Sequence, residues 1–200
     1  MPRRFLIFIV LVFNFCLSFC IFAKINNVVL EQISVEDGLS QASISAIAQD
    51  KQGYLWFGTE NGVDIYDGYS INALKGPDND FHKYSTNSIY VDSDGLVWIA
   101  LFGKGLYTYN PATNRYQMII KHDPENKELS IWYVVEDKEN SVFWLLTEKS
   151  ALSYDINSKK ITDRIDFSSH FSQVDVLYGA KILNKKLMLF SRAGVFFYDN

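Results

Sequence analysis

Among side chains that commonly carry chemistry, the sequence holds three histidines (His82, His122 and His170), two cysteines (Cys16 and Cys20) and 23 acids. Histidines spaced closely with cysteines or acids would make a metal centre or a proton-transfer pair. None of the three stands at such a spacing with another, and each falls in a loop-like stretch, so all three read as surface side chains. Asp78-Asn79-Asp80 and Asp92-Ser93-Asp94-Gly95 begin as calcium loops do, but neither continues to the bidentate glutamate of such a loop. Their expected role is turn formation. Glycine-rich phosphate loops, nucleophile elbows and kinase signatures are lacking. The expectation is therefore no catalytic residue, no metal and no cofactor.

Composition narrows the class further. Two hundred residues with 48% hydrophobic, 16% aromatic and 21% charged content describe a chain that buries a core. A net charge of -4 supplies no field to attract nucleic acid. The apolar excess is concentrated at the start. Arg3 and Arg4 precede a run from Phe5 to Ala23 broken only by Asn14 and Ser18, and Lys24 and Asn26-Asn27 follow. Residues 1–23 are read as an export signal cleaved after Ala23, with an uncleaved anchor as the alternative. Both cysteines lie inside it, so the exported part, 24–200, has no thiol for a disulfide, a metal or a nucleophile. Without Arg3 and Arg4 it carries 17 basic residues against 23 acids, a net of -6.

Positioning falls to a repeat. An apolar pair, an acidic turn, a tryptophan-bearing run, a tight turn and Gly-apolar-x-apolar-Tyr recur, with Met188 replacing tryptophan in the fourth copy. Trp56, Trp98, Trp144 and Met188 are 42, 46 and 44 residues apart; Tyr66, Tyr109, Tyr154 and Tyr198 are 43, 45 and 44 apart. A period near 44 belongs to four-stranded propeller blades and exceeds that of the shorter helical repeats. The copies are placed near 43–75, 88–121, 131–167 and 176–199.

Each copy reads as strands. In the first, Ser43 to Gln49, Tyr54 to Thr59, Gly62 to Asp67 and Tyr69 to Leu74 are separated by an acidic turn and by Asn61-Gly62, a strong hairpin signal. Glycine recurs at 62, 105 and 194; Ala151 is read in that place in the third copy, where a different turn type is expected. Leu55-Trp56-Phe57 and Val97-Trp98-Ile99 are apolar at adjacent positions, as strands buried on both faces require. The fold class is all-β: an incomplete β-propeller of about four four-stranded blades.

Ile47, Asp50, Gly53, Trp56, Gly58, Thr59, Gly62 and Tyr66 make the first copy resemble the two-component regulator propeller repeat, and Ile33 to Ile44 resembles the segment that opens such regions. The resemblance is strong over 31–116, fair to 156 and weak beyond. It implies a periplasmic sensory region of a bacterial receptor, followed in such proteins by a membrane helix and a histidine kinase or diguanylate cyclase. Family members usually carry seven blades or multiples of seven, so the chain is expected to be an N-terminal piece, cut before its output domain and itself no enzyme. Val28 to Ile33 is the candidate for a ring-closing strand.

One tryptophan per repeat at one register is core packing. Ligand contacts are expected instead where the copies differ, on the face carrying the second-to-third-strand turns and inter-blade loops. Those residues are Glu60, Asn61, Phe81, His82, Phe102, Lys104, Glu148 and Arg192. The expected partner is an extracellular small molecule or oligosaccharide. Membrane contact would come only through the N-terminal segment or a downstream helix, and the full-length receptor would be a homodimer. The alternatives are a secreted propeller hydrolase or lyase, and a protein-interaction scaffold.

Overall fold

A computed structural model describes residues 30–122, 128–167 and 177–198. The expected export signal, His170 and Val28-Val29 lie outside the described residues. The chain divides after Gln32, and all strands belong to the unit that begins at Ile33.

Four antiparallel sheets follow in chain order, each a simple meander. The first is β1 (Ile44–Gln49), β2 (Leu55–Thr59), β3 (Gly62–Tyr66) and β4 (Ile71–Leu74). The second is β5 (Thr86–Val91), β6 (Val97–Leu101), β7 (Gly105–Asn110) and β8 (Arg115–Ile120). The third is β9 (Tyr133–Asp137), β10 (Val142–Leu146), β11 (Ser150–Asp155) and β12 (Lys160–Asp166). The fourth has three described strands, β13 (Leu177–Leu183), β14 (Lys186–Ser191) and β15 (Gly194–Tyr198). Two short 3-10 turns, Val35–Asp37 and Phe81–Lys83, are the only helical segments among the described residues. Leu30 to Ile33 forms no strand, so no closing strand is seen there.

These sheets are the blades of a β-propeller. The first strands of successive blades pack side by side, β1 on β5, β5 on β9 and β9 on β13, which makes them the inner strands. Three apolar clusters fill the seams. The first joins Trp56, Val63 and Leu74 to Val97, Ile99 and Tyr107; the second joins Trp98 and Leu106 to Phe143, Leu145 and Leu152; the third joins Trp144 and Leu146 to Leu187 and Leu189. A blade between two others is apolar on both faces, and all five residues of β6 are buried.

The recurring aspartate has a structural task. Asp50 Oδ1 accepts from the amides of Gln52 (3.0 Å) and Tyr54 (2.9 Å), closing the first turn, while Oδ2 accepts from Trp56 Nε1 (2.9 Å). Asp92 repeats the arrangement with Asp94 N, Leu96 N and Trp98 Nε1. Asp137 differs: it accepts from Asn140 N and Nδ2.

The second turn needs its glycine. Gly62 has φ +92°, and a Cβ there would lie 2.9 Å from the Phe81 carbonyl oxygen; at Gly105, φ +98°, it would lie 2.4 Å from that of Ile120. In the third blade the equivalent residue is Ser150, not Ala151, because Thr147 faces Ser150 as Thr59 faces Gly62. No residue from Thr147 to Ala151 has positive φ; Thr147 Oγ1 instead accepts from the amides of Lys149 and Ser150. The extra residue of the Phe102-Gly103-Lys104 turn shifts the count by one.

Candidate functional site

One end of the propeller gathers the second-to-third-strand turns and the inter-blade loops. Glu60 and Asn61 sit on the β2–β3 turn and both hold the lead-in segment. Gln41 Nε2 donates to Glu60 Oε2 (2.9 Å), and Asn61 Nδ2 donates to the Ser40 carbonyl (3.2 Å). Ser40 in turn donates its amide (2.8 Å) and hydroxyl to the fully buried carboxylate of Asp64 on β3.

Across the first seam, the loop from Lys75 to Ser85 meets the β6–β7 turn. The Phe102 amide donates to the Ser85 carbonyl (2.8 Å), and Lys104 Nζ is bonded to Asp80 Oδ2, with Asp78 at 3.8 Å and the Tyr84 ring centroid at 4.9 Å. Burial pulls the Lys104 ammonium pKa down, but the hydrogen bond and charge of Asp80, with charges around it, outweigh that and leave it raised. Lys104 is thus committed to the protein's own acids. Asp80 Oδ1 is buried with no partner among the described residues.

Phe81 corrects an expectation. It is 0% exposed, set edge-on to Tyr107 (5.2 Å) and Tyr116 (5.7 Å) in the first seam, so its ring cannot meet a surface ligand. Next to it, His82 is exposed. Phe102 is 53% exposed, and Glu148 and Arg192 are exposed on the corresponding turns of the third and fourth blades. The structure therefore brings Glu60, Asn61, His82, Phe102 and Lys104 to one end of the first two blades. Trp132, 41% exposed just before β9, belongs to the same end and was not singled out from the sequence, where a repeat-breaking tryptophan was the available signal.

The opposite end holds a depression of about 310 Å³ between the second and third blades, lined among others by Ser93, Glu136, Lys138, Ser141 and Asn157. Of the three acids that line it, Asp94, Glu136 and Asp137, Glu136 is held between two blades. Glu136 accepts from Ser93 N (3.1 Å), Ser93 Oγ and Tyr90 OH (3.3 Å), and Lys51 Nζ reaches the Ser93 carbonyl, so three blades are laced together at their first turns. Burial, then the Glu136 charge, pushes the Tyr90 hydroxyl up to about 12. A raised phenol pKa favours the neutral native form, so its contribution to stability is intact below pH 10 and is lost as pH climbs toward 12. Urea melts between these limits are expected to show Tyr90→Phe losing less stability than the unmodified chain; parallel losses would refute the assignment.

Residues 38–61 match the two component regulator propeller family. These 24 residues carry the propeller repeat. They include the Asp50–Trp56 bond and Gly58, where a Cβ would lie 2.8 Å from Thr86 Cγ2 of the next blade. Over 74 residues the chain is 36% identical to histidine kinase P4 of Formosa agariphila, a stretch covering 37% of this chain and 5% of that protein. The propeller also superposes on extracellular domains described as belonging to hybrid two component systems of B. thetaiotaomicron. For BT4673 the TM-score is 0.63 at 17% identity, covering 80% of this chain and 21% of that one. For BT3049 it is 0.64 at 21% identity, covering 85% and 26%. Virginiamycin B lyase of Staphylococcus aureus superposes with a TM-score of 0.54 at 13% identity, over 82% of this chain and 57% of that one. At these identities the superpositions establish the fold. The chain spans a twentieth of the histidine kinase and about a fifth to a quarter of the two extracellular domains.

Proposed function

We propose that this chain is the leading part of the periplasmic sensory propeller of a bacterial receptor, exported by its N-terminal segment. The observation that carries the reading is the propeller repeat at residues 38–61 set in a blade of the matching fold. The sensor-domain superpositions and the histidine kinase relative support it. Signal output belongs to a histidine kinase or diguanylate cyclase domain beyond these 200 residues, and the full-length receptor works as a homodimer. The cue is an extracellular small molecule or oligosaccharide bound at the end that carries His82, Phe102, Glu148 and Arg192. These side chains are exposed and differ from blade to blade, whereas Lys104 positions the loop beneath them through Asp80.

The receptor reading is tested on the gene and on the protein. Codons beyond 200 should encode a membrane helix followed by a kinase or cyclase; a frame lacking both would reject it. Titration of the whole periplasmic region with neutral and uronic-acid-containing oligosaccharides should give saturable binding, weakened about tenfold by Phe102→Ala with the melting temperature unchanged. Binding indifferent to Phe102, Glu148 and Arg192 substitutions would place the cue elsewhere.

A further inference from the structure

In the first three blades the residue after the recurring aspartate is Lys51, Ser93 and Lys138. In the first seam that position is filled. The Lys51 stem runs over Gly95, where a Cβ would lie 3.4 Å from its Cδ and 3.7 Å from its Cε, and its ammonium ends on the Ser93 carbonyl. In the second seam the same position offers only Ser93, whose hydroxyl stops at Glu136. The third blade's turn is also longer: Asp137 precedes Trp144 by seven residues, where Asp92 precedes Trp98 by six. It ends in Ser141, held at φ +56°. The depression of about 310 Å³ lies where these two departures meet, and repeat folds place function where their copies differ.

Two of the three acids around it are spent on the fold. Glu136 takes the Ser93 and Tyr90 donors, and Asp137, 3% exposed, takes both donors of Asn140. Asp94 and Lys138 are different. Both are exposed, and among the described residues the Asp94 carboxylate and the Lys138 ammonium have no hydrogen bond or ion pair, with each other or with any neighbour. Asp94 comes from the second blade and Lys138 from the third, so one free charge of each sign borders the depression, from either side of the seam. Ile156, 42% exposed on the β11–β12 turn, supplies an apolar wall; Ser141 and Asn157 add a hydroxyl and an amide.

We propose that this depression binds a free α-amino acid with an aliphatic side chain, its ammonium at Asp94, its carboxylate at Lys138 and its side chain against Ile156. A zwitterion answers both free charges at once. A simple amine would leave Lys138 unmatched, and a simple carboxylic acid would meet three acids with one lysine to oppose them. The volume stands at the lower end of ligand pockets, which suits a molecule of this size. Charge pairs in contact with water are individually weak, so the expected dissociation constant is on the order of 1 mM. The site lies at the opposite end of the propeller from the cue-binding side chains and rests on the fold, not on the receptor reading.

Calorimetric titration of the chain with leucine, leucinamide and N-acetylleucine tests it. Leucine should bind saturably, and the two derivatives, which lack the carboxylate or the ammonium, about fivefold or more weakly. Asp94→Asn and Lys138→Met should each weaken leucine about fivefold with the melting temperature unchanged, since neither side chain holds the fold. In Lys138→Met, leucinamide should bind as well as leucine, a convergence that a merely structural role for the lysine would not produce. Ser93→Lys, which brings the first seam's filling to the second, should abolish binding, and Phe102→Ala should leave it unaltered. The proposal falls if leucine shows no saturation by about 10 mM, or if Asp94→Asn and Lys138→Met bind it as the unmodified chain does. It falls also if leucinamide matches leucine on the unmodified chain, which would make the depression a site for cations. The downstream codons and the oligosaccharide titration decide the receptor reading separately, so either can fail without the other.

Discussion

Replacing Trp98 by alanine is expected to cost about 3–5 kcal/mol of stability. Its indole is 3% exposed, its ring centroid lies 3.9 Å from that of Phe143 across the second seam, and Tyr154 meets it edge-on at 6.3 Å. A seam between two rigid sheets collapses poorly into a void, so the cavity term adds to the lost transfer energy. Met188→Ala provides the control: it removes apolar bulk at the same repeat position from an open face, and should cost under about 1 kcal/mol. Urea unfolding of residues 24–200 measures both; equal costs would show that the tryptophan position is not a seam position.

Asp92→Ala should follow closely, at about 3 kcal/mol. The carboxylate accepts three hydrogen bonds, from two turn amides and from Trp98 Nε1 at 2.7 Å, and is itself buried. Removing it strands an indole N–H in an apolar seam and frees the turn that sets the β5–β6 register. Asp92→Asn should recover part of the loss by keeping one oxygen for the amides. Asp137→Ala should cost about 1 kcal/mol, because its bonds come from Asn140 within the same turn. A third-blade loss equal to the second would mean that the aspartate acts through the turn alone.

Much of this architecture could be read from spacing. An aspartate six residues before a tryptophan, repeated at 50/56 and 92/98, already joins turn to core, and adjacent apolar residues in Val97–Leu101 report burial on two faces. The candidate ligand end was less legible, for identifiable reasons. Phe81 lies in a loop between repeats, where exposure is the ordinary expectation. That loop folds back, and its clue is Gly76, where a Cβ would lie 2.3 Å from the Phe81 ring. Lys104 looked free because its partner Asp80 lies 24 residues away in another blade's connection. Pairings at that distance follow no local period, and neither did the Ser40–Asp64 bond.

That last bond also bears on the order in which the molecule comes into being. Ser40 and Asp64 are 24 residues apart, so the loop they close is short and its entropic cost modest. Both are synthesised before Thr86 of the second blade. The first blade can bury the Asp64 carboxylate unaided, and each later blade finds a finished surface to fold against as it emerges.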